Sequence, residues 1–506
     1  MRSSDLMDML AKIEARFPVH EWVVAGVPVW PLVRIRWYRT QWARLYASAA
    51  AAPAAGSARK RLVDLWRGPL RAAATQLGDR AARERRPVRR DLLFVSDGIS
   101  FAKLGALWFD RFCDPLIALA RQRGLNAALW TMGHDHRVPR ATPSRFVQPL
   151  LDRANAVGAL RQLIGFSPPS LPGNEQLRAW VTSCGLGDES LRPSKIASDA
   201  MRVRELASAY RRRLRRVQPR LAFVVNYYSL EGMAFVLACR ESGTMVVDVQ
   251  HGLQGDLHPA YGAWPRPKSA VHSLLPDRFW VWSSWEREVI ARWSDGTGHC
   301  AVLGGNPWMR VWQEGEQWPG VAQAHELARA LRARAEGRPV VLVTLQYGFN
   351  ASEQIEPLSR LLSVAAGRFA FWVRLHPMML ERRAGLSALL RAGVCCELQQ
   401  PTDLPLQALL PYVDVHMTYS SSVVIEAAQF GIRSVITSLY GAELFEPLSL
   451  RGWVETAIGD DERLMHVLER LAAAKRQGQE SAGSAEAALD SLLEDAAHRA
   501  GRGEDS

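Results

Sequence analysis

The chain has 506 residues, 48% hydrophobic and 23% charged, with 37 Gly, 28 Pro and 6 Cys. These proportions describe a globular protein with a sizeable core and exclude a collagen-like, disordered or disulfide-stapled chain; Cys113, Cys184, Cys239, Cys300, Cys395 and Cys396 show no CxxC spacing. The net charge of +12 is uneven: residues 1–90 carry 18 Lys plus Arg against 7 Asp plus Glu, and the other 416 residues are nearly neutral.

The length predicts two or three domains. Residues 1–90 are read as a basic helical arm in which Trp22, Trp30, Trp37, Trp42, Tyr38 and Tyr46 alternate with Arg34, Arg36, Arg39 and Arg44. A docked helix with a solvated face is the simpler reading of that mixture, and contact with an anionic membrane surface is the alternative. No nucleic-acid-reading module follows it, so no nucleic-acid partner is expected. The Ala-rich stretch 48–57 is read as a linker. The N-terminal MRSSDLMDMLAKIEARF lacks the form of a signal peptide, and no run of about 18 apolar residues is present, so a cytoplasmic protein is expected.

From Asp91 short apolar strands alternate with helical segments, the pattern of doubly wound parallel α/β sheets. Strands are predicted at 91–97, 125–131, 220–228, 244–250, 278–282 and 300–304. Asp114 is read as the N-cap of the helix that Gly124 ends, and Ser283 with Glu286 has the spacing of a capping box. The Trp-, Gly- and Pro-rich stretch 305–320 marks an interdomain connection, assigned to 311–337 with its following helix. A second set of strands is predicted at 339–345, 369–375, 394–398, 413–418 and 433–437. The organisation expected is thus an N-terminal Rossmann-like domain over 91–310, a C-terminal one over 338–470, and a flexible tail over 471–506.

Ligands of open α/β sheets sit outside the carboxyl ends of the strands, and those positions are polar in this chain. In the first domain they are Asp97-Gly98 and the loop holding Gln250, His251, Gly252, Asp256 and His258. In the second they are Gln346-Tyr347, Arg374 and His376, and the serines of TYSSSVVIEAAQFG, Ser420, Ser421 and Ser422. A strand that empties into a serine-rich helix start offers amide and hydroxyl donors to a phosphate, with Glu426 four residues past Ser422 suited to a ribose diol. Arg374 and His376 share a strand face and add donors to an anion. His251 is a candidate general base, Asp97 a second, with Gln250, Gly252, Asp256 and His258 on the acceptor side.

GxxxxGK[ST], HExxH and GxSxG are absent, as is an Asp-x-Asp pair for a metal-bound diphosphate. No metal and no cofactor is therefore expected, and protein groups are left to meet the charge of a leaving group.

VRLHP and TYSSS in the second domain, with a QHG loop in the first, resemble the GT-B transferases of bacterial surface polysaccharides. Among these the motifs are similar to capsule polysaccharide transferases of the Kdo and polysialic-acid types and to CDP-glycerol glycerophosphotransferases. The resemblance spans about residues 91–455 and implies a GT-B fold, two Rossmann-like domains facing a cleft. It implies that His376, Ser420, Ser421 and Ser422 contact the donor phosphate and that His251 is the base. The polysialyl type carries an acidic pair before Gly as its base; only Asp97-Gly98, preceded by Ser96, stands here. The implied activity is transfer of a sugar from a nucleotide-sugar donor to a surface polysaccharide or lipid-linked glycan, at the inner face of the cytoplasmic membrane. The alternatives are phosphopolyol transfer from a CDP donor, 2-epimerisation of a nucleotide sugar, and a non-catalytic membrane-associated assembly factor.

Overall fold

The computed structural model describes residues 2–46, 89–98, 100–133, 138–165, 169–265, 271–315, 318–347, 351–365, 367–390, 396–478 and 483–504. The linker expected at 48–57 and most of the charge of the expected arm lie outside the described residues. The chain opens with α1 (Ser3–Arg16), the short pair β1 (Val23–Val24) and β2 (Val27–Pro28), and α2 (Trp30–Tyr46). These elements are not an arm. Leu6, Leu10, Trp22, Trp30 and Trp37 are buried in the same apolar cluster as Val95, Val203, Tyr210 and Val224 of the first domain. The aromatic side chains of Trp22, Trp30, Trp37 and Tyr38 therefore face the protein core.

The first domain is built on a sheet of β3 (Leu92–Ser96), β6 (Ala127–Thr131), β7 (Ser144–Phe146), β8 (Leu221–Val225), β9 (Met245–Val249), β10 (Arg278–Val281) and β11 (Cys300–Leu303), in the order β11-β10-β9-β8-β3-β6-β7, all parallel. β3, β8 and β9 are buried along their whole length, as strands covered by helices on both faces must be. Between β3 and β6 the sequence reading lacked a hairpin, β4 (Phe101–Leu104) and β5 (Leu107–Asp110), ahead of α3 (Cys113–Gln122). Asp114 is not the cap of α3. Asp110 Oδ1 accepts from the amides of Phe112 and Cys113, while Asp114 is buried and accepts from the Asp110 amide. Three further helices were not anticipated, α4 (Gln148–Gly165), α5 (Asn174–Ser183) and α6 (Pro193–Val217). α7 (Leu230–Glu241) joins β8 to β9, and the capping box of Ser283 and Glu286 opens α8 (Ser284–Ser294) as expected.

The expected connection is helical: Asn306 caps α9 (Pro307–Glu314), which α10 (Val321–Ala333) follows. Trp308, Trp312 and Val321 are buried in one cluster with Val340 and Trp372 of the second domain and with Leu104 and Phe109 of the hairpin. The second sheet holds β12 (Val340–Thr344), β13 (Ala370–Arg374), β14 (Cys396–Glu397), β15 (Val415–Thr418), β16 (Ser434–Ile436) and an unanticipated β17 (Val454–Thr456), parallel in the order β14-β13-β12-β15-β16-β17. α11 (Ala351–Val364), α12 (Arg383–Leu390), α13 (Gln399–Asp403), α14 (Leu406–Leu409), α15 (Val423–Gln429), α16 (Leu439–Leu444), α17 (Glu446–Leu450) and α18 (Asp461–Ala473) join or flank these strands.

The tail expected to fray instead forms α19 (Ala485–Glu504) and docks on the first domain. Its Leu489 and Leu492 are buried, and Asp490 and Asp495 pair with Arg123 and Arg278. Burial of two leucines, worth about 1.5–3 kcal/mol each, outweighs the low helix-to-core content that composition implied. The whole is two Rossmann-like α/β domains, each built on a doubly wound parallel sheet. One apolar cluster holds Phe112, Trp282 and Trp285 of the first domain with Val424 and Ile425 of the second, so the carboxyl edges of the two sheets meet.

Candidate functional site

Each sheet has one point where the chain reverses its direction of winding, between β3 and β8 in the first and between β12 and β15 in the second. The crevice outside the carboxyl ends at such a point is where a doubly wound sheet binds ligands. The candidate residues of both domains collect there.

On the first domain, Gly98 turns the chain after β3 with φ +73°, and a Cβ on it would lie 2.3 Å from Met132 O. Asp97 is thereby held at the strand end, half-buried. The ends of β8 and β9 are joined by Asp248, fully buried, whose Oδ1 accepts from the Tyr227 amide at 3.0 Å and whose Oδ2 accepts from the Tyr261 hydroxyl at 2.8 Å. Burial without a cationic partner pushes the Asp248 carboxyl up to about 7. Tyr228 follows, and its hydroxyl lies 2.8 Å from His251 Nε2. His251 Nδ1 faces Val249 O at 3.3 Å, which assigns the proton to Nδ1 and leaves the Nε2 lone pair to the tyrosine hydroxyl. Burial holds His251 down to about 4, so the ring is neutral at pH 7. His258 packs on Tyr228, ring centroids 5.1 Å apart, and is held down to about 3 by burial first, then by the neighbouring imidazole of His251 as that ring protonates and by the charges of Arg39 and Arg34. The Asp97 and Arg39 charges both act on the Tyr228 hydroxyl, in opposite directions. Tyr228, His251 and His258 therefore form one group, and the charges of Asp97 and Arg39 act on it from nearby.

Two expected acceptor-side residues do not belong to it. Gln250 is fully buried; its Nε2 donates to Glu286 and to Gly252 O, and its Oε1 accepts from the Trp282 amide, so its polar atoms are used in joining β9 to β10. Asp256 points to the exposed surface, where it pairs with Arg292. Gly252 does face open space, with nothing within 4 Å of a Cβ placed on it.

On the second domain, Tyr347 and His376 stack at the ends of β12 and β13, ring centroids 6.1 Å apart and planes 23° apart. Tyr347 is 42% exposed. His376 Nδ1 accepts from the Met378 amide at 3.2 Å, which leaves Nε2–H as a donor; burial holds its pKa below the usual histidine range. Gln346 is tied through its backbone amide and carbonyl to the side chain of Gln354. At the end of β15, Ser421 accepts through Oγ from the Val423 amide, and Ser420 and Ser421 are 8% and 7% exposed. The turn is pinned by Ser438, which donates to Tyr419 O at 2.6 Å, and by Gly441, whose Cβ would stand 2.1 Å from that same carbonyl.

Two expectations change here. α15 is only seven residues long, so its dipole is weaker than a full helix would supply, and the donors at this end are chiefly Ser420, Ser422 and His376. Arg374 donates through Nη1 to Pro401 O and Leu404 O, which makes it a brace for the segment after β14 rather than a free phosphate ligand; burial lowers it to about 10. Glu426 accepts at 2.6 Å from Gln407, which in turn accepts from the indole N–H of Trp308 at 3.0 Å. Burial raises the Glu426 pKa, and the charges of Arg111 and Arg374 oppose that rise.

Arg111 and Tyr228 are the members that the sequence reading did not single out. Arg111 follows β5 in the first domain, where its Nε donates to Ser100 O at 3.4 Å, and its charge acts on Arg374 and Glu426 of the second. Tyr228 falls inside the strand predicted at 220–228, whereas the strand ends three residues earlier at Val225 and leaves the tyrosine in the loop beyond it. Arg111 carried no signal, because the hairpin that directs it was not recognised.

No protein-family model matches the chain, and no curated protein matches it. Among solved structures the chain is similar in shape to a UDP-GlcNAc 2-epimerase from Neisseria meningitidis bound to UDP-GlcNAc, at 15% identity over 80% of this chain and 99% of that one, with TM-score 0.48. It is similar to the 2-epimerase from Methanocaldococcus jannaschii at 12% identity over 79% and 98%, TM-score 0.48. A calicheamicin glycosyltransferase matches at 15% identity over 81% and 94%, TM-score 0.40.

Proposed function

We propose that the protein is a metal-independent glycosyltransferase that takes a sugar from a nucleotide-sugar donor and passes it to an acceptor hydroxyl of a surface polysaccharide or lipid-linked glycan. The observation that carries this reading is the meeting of two unlike groups at facing strand ends: Ser420, Ser422, His376 and Glu426 on the second domain, and a neutral histidine on the first. The nucleotide would stack against Tyr347. His376 Nε2–H, Ser420, Ser422 and Arg111 would face the diphosphate, and Glu426 the ribose.

In the transfer step the acceptor oxygen bonds to the anomeric carbon as the bond from that carbon to the donor phosphate breaks. The electron pair leaves with the diphosphate, where His376 and the serine hydroxyls stabilise it. The acceptor proton goes to His251 Nε2, displacing or passing through the Tyr228 hydroxyl. A histidine held near 4 is a weak base, but a bound diphosphate dianion beside it raises its pKa toward the useful range. Phosphopolyol transfer from a CDP donor would use the same groups, with the acceptor oxygen bonding to phosphorus instead.

The test is turnover of labelled nucleotide sugars with wild type and His251→Ala. Loss of transfer by about 100-fold or more with nucleotide affinity kept is expected for a general base. Unchanged turnover removes His251 from that role, and an epimerised donor formed without acceptor would replace transfer by epimerisation.

A further inference from the structure

A shallow pocket open to solvent, of about 540 Å³, lies outside the strand-end site, on the far face of α2 and at the start of α6. Its walls include the cations Arg36, Arg192 and Lys195 and the hydroxyls of Thr40, Ser194 and Ser198. One carboxylate, Glu189, is also part of the lining, and a second, Asp199, stands close by. Glu189 is taken by Arg44. Asp199 is shared by Arg36 and Lys195, so it compensates one of the three lining cations and leaves an excess of two positive charges. Arg202 adds to that excess: with Arg36 it disfavours the charged form of Lys195, after the larger effect of burial. Arg36 Nε is itself buried with no hydrogen-bond partner among the described residues. Like charges gathered around a concave, hydroxyl-lined space raise the energy of the empty pocket, and an anion entering it relieves that energy. The pocket is too large for a chloride and offers several donors at once, which suits the oxygens of a phosphate group.

We infer that this cavity is a binding site for a phosphate-bearing ligand, a phosphomonoester or diphosphate group, separate from the strand-end site. α2 connects the two. Its Arg36 and Thr40 face the cavity, while Arg34 and Tyr38 on its other side bond to the carbonyls of Pro259, Gly262, Ala263 and Leu257 in the loop that carries His258. Occupancy of the cavity braces the helix that holds that loop.

The experiment uses the full chain and does not depend on the donor-site reading. Inorganic pyrophosphate is titrated calorimetrically into wild type, Arg192→Gln/Lys195→Gln, and His376→Ala as a control for the strand-end site. Lys195 and Arg192 are exposed, so the double variant keeps the core intact. In parallel, sedimentation with phosphatidylglycerol vesicles and with neutral phosphatidylcholine vesicles separates a lipid headgroup from a soluble phosphate. Pyrophosphate affinity lowered about 10-fold or more in the double variant but kept in His376→Ala supports a soluble ligand. Phosphatidylglycerol binding lost in the double variant supports the headgroup as the source. Pyrophosphate and vesicle behaviour equal to wild type in the double variant overturns the site.

Discussion

Arg34 shows how the N-terminal segment serves the first domain. It is fully buried, donates to Glu14 at 2.9 Å and to three loop carbonyls, and lies 4.2 Å over the Trp264 ring. Glu14 is equally enclosed, and burial raises its pKa more than Arg34 lowers it. Arg34→Ala would leave the buried Glu14 carboxylate without its counter-charge, held only by the Trp30 indole N–H, and three carbonyls without this donor, and a loss of about 3–5 kcal/mol is expected in urea unfolding. A loss under 1 kcal/mol would show that water reaches the pair. At this scale sequence spoke unevenly. His376 and the serines were legible because a polar residue immediately after an apolar strand stands at a ligand-facing edge. Gln250 and Arg374 occupy equivalent positions yet serve the framework, since a strand-end side chain can satisfy neighbouring backbone as well as a ligand. Asp248 carried a signal, a lone acid in an apolar strand, that the reading of strand ends did not use.

The elements were more legible where one physical cause set them. The strands of both sheets follow from apolar runs of β-formers. The closing helix α19 was missed because its Ala and Glu content resembles a solvated tail, although Ala485, Ala488, Leu489, Leu492 and Ala496 fall at helical spacing and all are buried. Leu492→Ala is expected to cost about 2–4 kcal/mol in chemical unfolding. A neutral outcome would mean that α19 is not held to the first domain. β15 carries a different kind of exception, the fully buried His416 between Thr344 Oγ1 and Ser434 Oγ, each at 2.9 Å. Burial lowers its pKa from 6.5 to about 3. The unfolded chain thus binds the proton more readily, so the stability His416 contributes is complete above about pH 6.5 and is lost as pH falls toward 3. His416→Gln should flatten the fall in stability between pH 7 and pH 4; an unchanged slope would assign the acid sensitivity to other groups.

Across the whole molecule, the sequence reading reached two α/β domains but not what ties them together. The ties are the hairpin β4–β5, whose Phe109 packs on Trp308 and Trp318, and the N-terminal helices, whose Trp42 and Tyr46 pack on Tyr440 while the amides of Ser3 and Ser4 donate to Glu443. All are long-range pairings between segments that periodicity treats separately. They hold the strand ends of one sheet against those of the other, which is what lets Arg111 act on Glu426. Among the described residues no helix is long and apolar enough to cross a membrane. We propose that this junction binds a nucleotide diphosphate on the second domain. Thermal unfolding of wild type and His376→Ala with CMP, CDP, UDP and GDP tests it most directly, because a ligand that binds only the folded state raises the midpoint. The account predicts that one nucleotide stabilises the wild type and that the shift falls sharply in His376→Ala. No shift with any of the four, or an equal shift in the variant, would contradict it.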